Sequence, residues 1–169
     1  MLVLSVIGAD RTGLVQSIAE KITAVGGTWE ESRMARLAGQ FAGILLVTVD
    51  GERSDELVAS LRKLEANGLH VTVRPTDPVV ERAAPTMHVR FALTAHDRPG
   101  IVHDVSRILA ERGLNVEELE TEVASAPMSG ESMFTARARL AAPVSTSLAD
   151  LRGKLEALGG ELMLDLAVE

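Results

Sequence analysis

Ala9-Asp10-Arg11-Thr12-Gly13-Leu14-Val15 returns later in the chain as His96-Asp97-Arg98-Pro99-Gly100-Ile101-Val102. Each copy follows an apolar, strand-like run and leads into a helical pattern. A strand that turns abruptly into a helix needs a residue without a side chain where the backbone bends, and Gly13 and Gly100 stand there. The N–H groups at the head of a helix lack intrahelical acceptors, so such a turn also suits a carboxylate or a phosphate. The first question is whether the two turns hold a ligand or only turn corners.

The repeat extends well beyond the turn. An offset of 87 residues aligns Asp10 with Asp97, Arg11 with Arg98, Gly13 with Gly100, Gly26 with Gly113 and Glu30-Glu31 with Glu117-Glu118. Further on, an offset of 91 matches Lys63-Leu64-Glu65-Ala66 with Lys154-Leu155-Glu156-Ala157, and Gly68 with Gly159. The difference, 91 − 87 = 4, places four extra residues in the second copy, in the turn-rich stretch from Ser125 to Ser132. The chain therefore divides into a first domain over 1–75, a linker over 76–86 marked by prolines and mixed charge, and a second domain over 87–169.

Within the first copy, Leu2 to Ile7 reads as a buried strand. Leu14, Ile18, Ile22 and Val25 recur at helical spacing, with Val15 beside them, and Gly26-Gly27 ends that helix. Thr28 to Leu37 and Gln40 to Val49 are strands around an Ala38-Gly39 turn. A second helix starts at Ser54-Asp55-Glu56, points Leu57, Leu61 and Leu64 inward and stops at Asn67-Gly68; Leu69, Val71 and Val73 then alternate with polar residues as a strand. The second copy repeats this. Val89, Phe91 and Leu93 alternate; Ile101, Val105, Ile108 and Leu109 make a helical stripe; Val116 to Val123 is a strand with Glu118, Glu120 and Glu122 on one face. Phe134, Ala136, Ala138 and Leu140 share a strand face, Leu148, Leu151, Leu155 and Leu158 a helix face, and Leu162, Leu164, Leu166 and Val168 belong to the last strand.

The order βαββαβ, twice, predicts an α+β fold of two ferredoxin-like units. Each has a four-stranded antiparallel sheet with two helices on one face. Ile44-Leu45-Leu46-Val47 is apolar on both faces, so the helix-free face of the first sheet calls for a cover. The second copy or another chain would supply it.

Composition narrows the function classes. A net charge of −7 opposes direct nucleic-acid binding, which needs clustered Lys and Arg. Three Phe, one Trp and no Tyr leave little to stack bases. The absence of cysteine removes disulfides and thiolate chemistry and fits a cytoplasmic protein. No apolar run has the length of a membrane span, and the apolar start reads as a first strand rather than a signal peptide. The four histidines show no metal-ligand spacing, and no cofactor is expected.

At the Asp-Arg-x-Gly turn, followed by helix, glycine and a Glu-rich strand, the chain resembles ACT domains, small regulatory modules that bind amino acids. The match is Ala95-His96-Asp97-Arg98-Pro99-Gly100-Ile101-Val102 with Gly113-Leu114-Asn115-Val116. The run from Gly8 to Val15, with Glu31-Ser32-Arg33-Met34-Ala35-Arg36-Leu37-Ala38-Gly39-Gln40-Phe41, is similar to the glycine cleavage system transcriptional repressor group, which are tandem ACT proteins. The resemblance implies binding of a small amino-acid effector without catalysis, and regulation through a protein partner such as a DNA-binding regulator. It places the ligand between domains, near the first loop of one and the second strand of its neighbour. Carried over, the ligand-binding candidates are Asp97, Arg98, Gly100, Ile101 and Asn115, with Asp10, Arg11, Gly13 and Leu14 in the first copy. Thr28 stands in place of Asn115 and Thr12 in place of Pro99, which favours the second site.

Chemistry offers the same site in outline: N–H groups at Gly100 and Ile101 for a carboxylate, Asp97 for an ammonium, and the Asn115 amide for either. Plainer readings stand beside it. Asp10 and Asp97 suit N-caps bonding Gly13 and Gly100, and the glycines suit turn geometry alone. Three functions compete: an amino-acid-sensing regulator, a ligand-free interaction module, and an acylphosphatase-like enzyme using Arg98 and Asn115. His103, Asp104 and Ser106 have the residue types of a triad but lie on one helix. Exposed sheet edges also leave room for a homo-oligomer.

Overall fold

In the computed structural model, residues 1–77, 86–126, 130–159 and 162–168 are described. The chain divides into two compact units, 1–80 and 81–169. Of the expected linker, residues 78–85 lie outside the described residues, while Thr86 already opens a strand.

The first unit contains β1 (Leu2–Ala9), α1 (Leu14–Ala24), β2 (Thr28–Leu37), β3 (Gln40–Thr48), α2 (Gly51–Arg62), a 3₁₀ turn (Lys63–Asn67) and β4 (Leu69–Pro75). The second contains β5 (Thr86–His96), α3 (Ile101–Glu111), β6 (Asn115–Ser125), β7 (Ser132–Pro143), α4 (Leu148–Glu156) and β8 (Met163–Val168). Both sheets are antiparallel, in the orders β2-β3-β1-β4 and β6-β7-β5-β8. The expected α+β architecture, two ferredoxin-like βαββαβ units, is present.

Period and burial agree along the helices. Leu14, Ile18 and Ile22 of α1 are buried with Leu57 and Leu61 of α2 against Leu4, Val6 and Val47. In the second unit Ile101, Val105, Ile108 and Leu109 of α3 join Leu151 and Leu155 of α4 over Val89, Phe91 and Leu93. Helix ends follow their glycines. Gly26 at φ 70° closes α1 with Gly26 N–H donating to the Thr23 carbonyl and Gly27 N–H to that of Ile22. Gly113 and Leu114 do the same for α3, to Ala110 and Leu109.

The hairpins explain the change of offset. Ala38 and Gly39 join β2 to β3, both at positive φ as a two-residue type I′ turn requires. Six residues, 126–131, separate β6 from β7, and 6 − 2 = 4 recovers the extra residues. Both copies also carry a bulge at one place in the repeat, between Trp29 and Glu31 and between Val116 and Glu118.

One expectation needs correction. The second helix begins at Gly51 rather than at Ser54, because the Asp50 side chain accepts from the Glu52 N–H at 3.2 Å and caps it earlier. Val15 lies off the core stripe and is exposed, since it is one residue out of phase with Leu14 and Ile18. Val168, at the end of edge strand β8, is exposed as well.

Gly8 faces the backbone where β4 begins. A Cβ there would stand 2.5 Å from the Gly68 carbonyl oxygen and 3.2 Å from the Leu69 Cα. The second copy has Ala95 at the matching position, and it is buried. Gly8→Ala is expected to destabilise the first unit by about 1–3 kcal/mol, the range for overpacking. Urea unfolding followed through Trp29, the single tryptophan and packed on the first core, reports it. An unchanged midpoint would refute the close approach.

Candidate functional site

Each turn between first strand and first helix ends on a left-handed glycine. Gly13 has φ 90° and Gly100 φ 84°, and each occupies the N-cap position itself. The Ser17 and Asp104 N–H groups donate to the Gly13 and Gly100 carbonyls at 2.9 Å, the first bonds of α1 and α3. Neither helix has a side-chain cap, so the reading of Asp10 and Asp97 as N-caps is corrected. The strand-to-helix path leaves both aspartates ahead of the cap position, where the surrounding groups decide whether their side chains are paired.

In the first copy those groups lie within the unit. The Asp10 carboxylate pairs with Arg36 at 2.6 Å, and the Asp10 N–H donates to the Gly39 carbonyl at 2.9 Å. This ties the turn to the tip of the β2–β3 hairpin. The Arg11 guanidinium donates to the Asn67 carbonyl at 3.1 Å, at the end of the 3₁₀ turn. Leu14 is a core residue.

The second copy keeps the turn and changes its surroundings. The Asp97 N–H still reaches the opposite hairpin, donating to the Ser132 carbonyl at 2.8 Å. Val123 stands where the first copy has Arg36, and the exposed Asp97 carboxylate has no hydrogen-bond or ion-pair partner among the described residues. Arg98 turns to Asp104 at 2.7 Å, which replaces Ser17 of the first copy. Donation from Arg98, and then from His103, holds the Asp104 carboxyl below its ordinary range. A cleft of about 90 Å³ lies beside Arg98 itself, lined also by His96, Ile101, Leu158 and Gly159.

Two parts of the expected site change. The Ile101 N–H is engaged, donating to the Arg98 carbonyl at 3.3 Å, and the Ile101 side chain is buried in the core. Asn115 lies far from the turn within its own unit. The ladder puts Asn115 opposite Ala141 and hence His88, whereas the turn follows His96. Eight residues of strand separate those levels, about 26 Å at 3.3 Å per residue. Asp97 and Asn115 therefore cannot contact one small molecule inside a single unit, and Arg98 and Asn115 cannot form the acylphosphatase-like pair there. Thr28 is at the corresponding far end of the first sheet, opposite Thr48.

The Ser106 hydroxyl donates to the His103 carbonyl at 3.0 Å, so these side chains do not line up as a triad. His88 lies 3.1 Å from Glu117. No group of three metal-ligating side chains occurs among the described residues. Arg36 and Asp104 decide the charge state of the two turns, and the turn motif alone does not point to them. Comparing positions across the repeat, Arg36 with Val123 and Ser17 with Asp104, is the signal that would.

Models of the ACT domain match residues 1–74 and residues 89–139, together well over half of the chain. The chain belongs to the ACT-domain family. As a tandem ACT protein it is similar to the glycine cleavage system transcriptional repressor of Escherichia coli (strain K12), with 26% identity over 95% of this chain and 85% of that protein. The crystal structure of an unknown protein from Galdieria sulphuraria superposes with a TM-score of 0.85 at 29% identity, covering 99% of this chain and 97% of that one. A putative glycine cleavage system transcriptional repressor shares the fold, with a TM-score of 0.71 and 18% identity over 99% and 97% of the two chains.

Removing the arginine in Arg98→Ala is expected to raise the Asp104 titration toward that of an ordinary carboxylate, visible by carboxyl-carbon NMR. Its value in the folded chain is depressed. The pair therefore contributes stability above the ordinary carboxylate range, and that contribution is lost as pH falls through the depressed value. An Asp104 titration unmoved by Arg98→Ala would remove the pair as the cause.

Proposed function

We propose that this tandem ACT protein senses a small amino acid, glycine being the first to test, and regulates transcription through a protein partner. The observation that carries the reading is the contrast between the two turns. In the first, Asp10 and Arg11 are both engaged inside the unit. In the second, the same turn presents an Asp97 carboxylate with no partner among the described residues, the group an ammonium would meet. The relation to the glycine cleavage repressor supplies the amino-acid and transcriptional parts of the proposal.

In this reading Asp97 receives the ammonium, the Gly100 backbone lies against the ligand where a side chain would intrude, and Arg98 stays on Asp104. Asn115, at the far end of its sheet, takes no part in holding a ligand at this turn. The protein acts as a non-enzymatic regulator in the cytoplasm. No helix among the described residues is long and apolar enough to cross a membrane. The net charge of −7 favours action through a DNA-binding partner over direct contact with phosphates.

Thermal unfolding against each of the twenty amino acids tests this. A ligand selective for the folded state stabilises it by about 2.7 kcal/mol at a hundredfold excess over its dissociation constant. A small amino acid is expected to raise Tm, with the shift lost in Asp97→Ala and kept in Asp10→Ala and Asn115→Ala. No response to any of the twenty at millimolar concentration, or a response that depends on Asp10 alone, would overturn the assignment.

A further inference from the structure

The two sheets have opposite characters on the faces that carry no helices. In the second unit that face is ionic. Cross-strand rows run Glu118–Arg139–Arg90–Ala167 and Glu120–Arg137–Ala92–Asp165. In the first unit the rows are Glu31–Leu46–Val3–Arg74, Arg33–Ile44–Ser5–Thr72 and Ala35–Ala42–Ile7–His70. The two central strands of this face are thus mostly apolar, and Ile44 and Ile7 are 54% and 51% exposed. The charges stand on the edge strands: Glu31 and Arg33 on β2, paired with each other at 2.9 Å, and Arg74 on β4 in the row of Glu31.

That placement is self-complementary under one symmetry operation. Let a second copy lie face to face on this sheet, related by a two-fold axis parallel to the strands. The operation keeps each row level and reverses strand order, so β3 meets β1 and β2 meets β4. Leu46 then opposes Val3, Ile44 opposes Ser5, and Ala42 opposes Ile7, each twice. Glu31 of each copy meets Arg74 of the other at the rim, and Arg33 meets the uncharged Thr72. Within these three rows no like charges stand directly opposite each other. A two-fold perpendicular to the strands would instead bring β2 over β2 and set Arg33 against its own symmetry mate. The ionic face of the second sheet fails even with the parallel axis, because Arg139 would oppose Arg90 and Glu120 would oppose Asp165. Burying like charges against each other is strongly unfavourable.

We infer that the exposed face of the β2-β3-β1-β4 sheet is the surface through which two copies of this chain dimerise, on a two-fold axis parallel to the strands. Apolar contacts at the centre supply the attraction, and the paired Glu31 and Arg74 at the rim fix the orientation. The inference does not depend on which effector binds.

Sedimentation velocity of the full chain over a micromolar-to-millimolar range tests it, with far-UV circular dichroism to confirm that each variant stays folded. The wild-type chain is expected to be a dimer. Ile44→Glu, an exposed position outside the core, should raise the dimer dissociation constant roughly a hundredfold, since the symmetry counts the change twice. Arg74→Glu should raise it roughly tenfold by opposing two acids across the interface, and Arg74→Glu with Glu31→Arg should restore it. A monomer at every concentration would overturn the inference, the face then being covered by other parts of the chain or by another protein. A dimer indifferent to Ile44→Glu would overturn the surface. Failure of the double charge reversal to restore the dimer would overturn the two-fold.

Discussion

A left-handed glycine at the head of each first helix is the constraint from which the rest of the structure follows. Gly13 and Gly100 carry the chain out of a central strand and directly into a helix that lies back over the same sheet. A residue with a Cβ in that conformation costs roughly 1–2 kcal/mol, so the sharp reversal is reserved for glycine. Because the turn is tight, only four residues separate the strand end from α1 and from α3. Leu14 and Ile101, the first helical residues, then fall straight into the cores, and the helical period sets the remainder of each stripe.

The same turn has been put to different use in the two copies, and the difference comes from outside the turn. Arg36 in the first unit neutralises Asp10, whereas Val123 leaves Asp97 without that partner. Ser17 makes no claim on Arg11, which reaches the carbonyl of Asn67, while Asp104 draws Arg98 along its own helix. Two substitutions on neighbouring elements thus leave the second corner with an open carboxylate where the first is closed. Backbone geometry is shared because it depends on glycine and hairpin contacts that both copies keep. Charge state is not shared, because it depends on side chains that have diverged.

Divergence is sharper still on the outer sheet faces. The inner faces must remain apolar to meet the helices, and in both units they do. The outer faces are under no such demand. One carries alternating acids and arginines in cross-strand rows, and the other carries Val3, Ile7, Ile44 and Leu46 at its centre. Cross-strand ion pairs make the first kind of face soluble by itself, while the second gains free energy only when water is removed from it.

Much of this was legible in the sequence because the signals are local and repeated. The order of elements, the Ala38-Gly39 turn, the four-residue excess between copies and the inward leucines all follow from glycine positions and from periods of 2 and 3.6 residues. The chemistry-bearing residues were legible only as types. Asp10 and Asp97 share the same Asp-Arg-x-Gly turn, yet one is paired and one is not, because Arg36 and Val123 approach from a strand more than twenty residues away in sequence. Asn115 and the Asp97 turn lie close in the chain but at opposite ends of a sheet, since antiparallel register, not sequence distance, decides which residues share a level. Local backbone preference is written residue by residue. Which charges meet, and which ends of a strand come together, is decided when long-range pairing brings distant segments into one ladder.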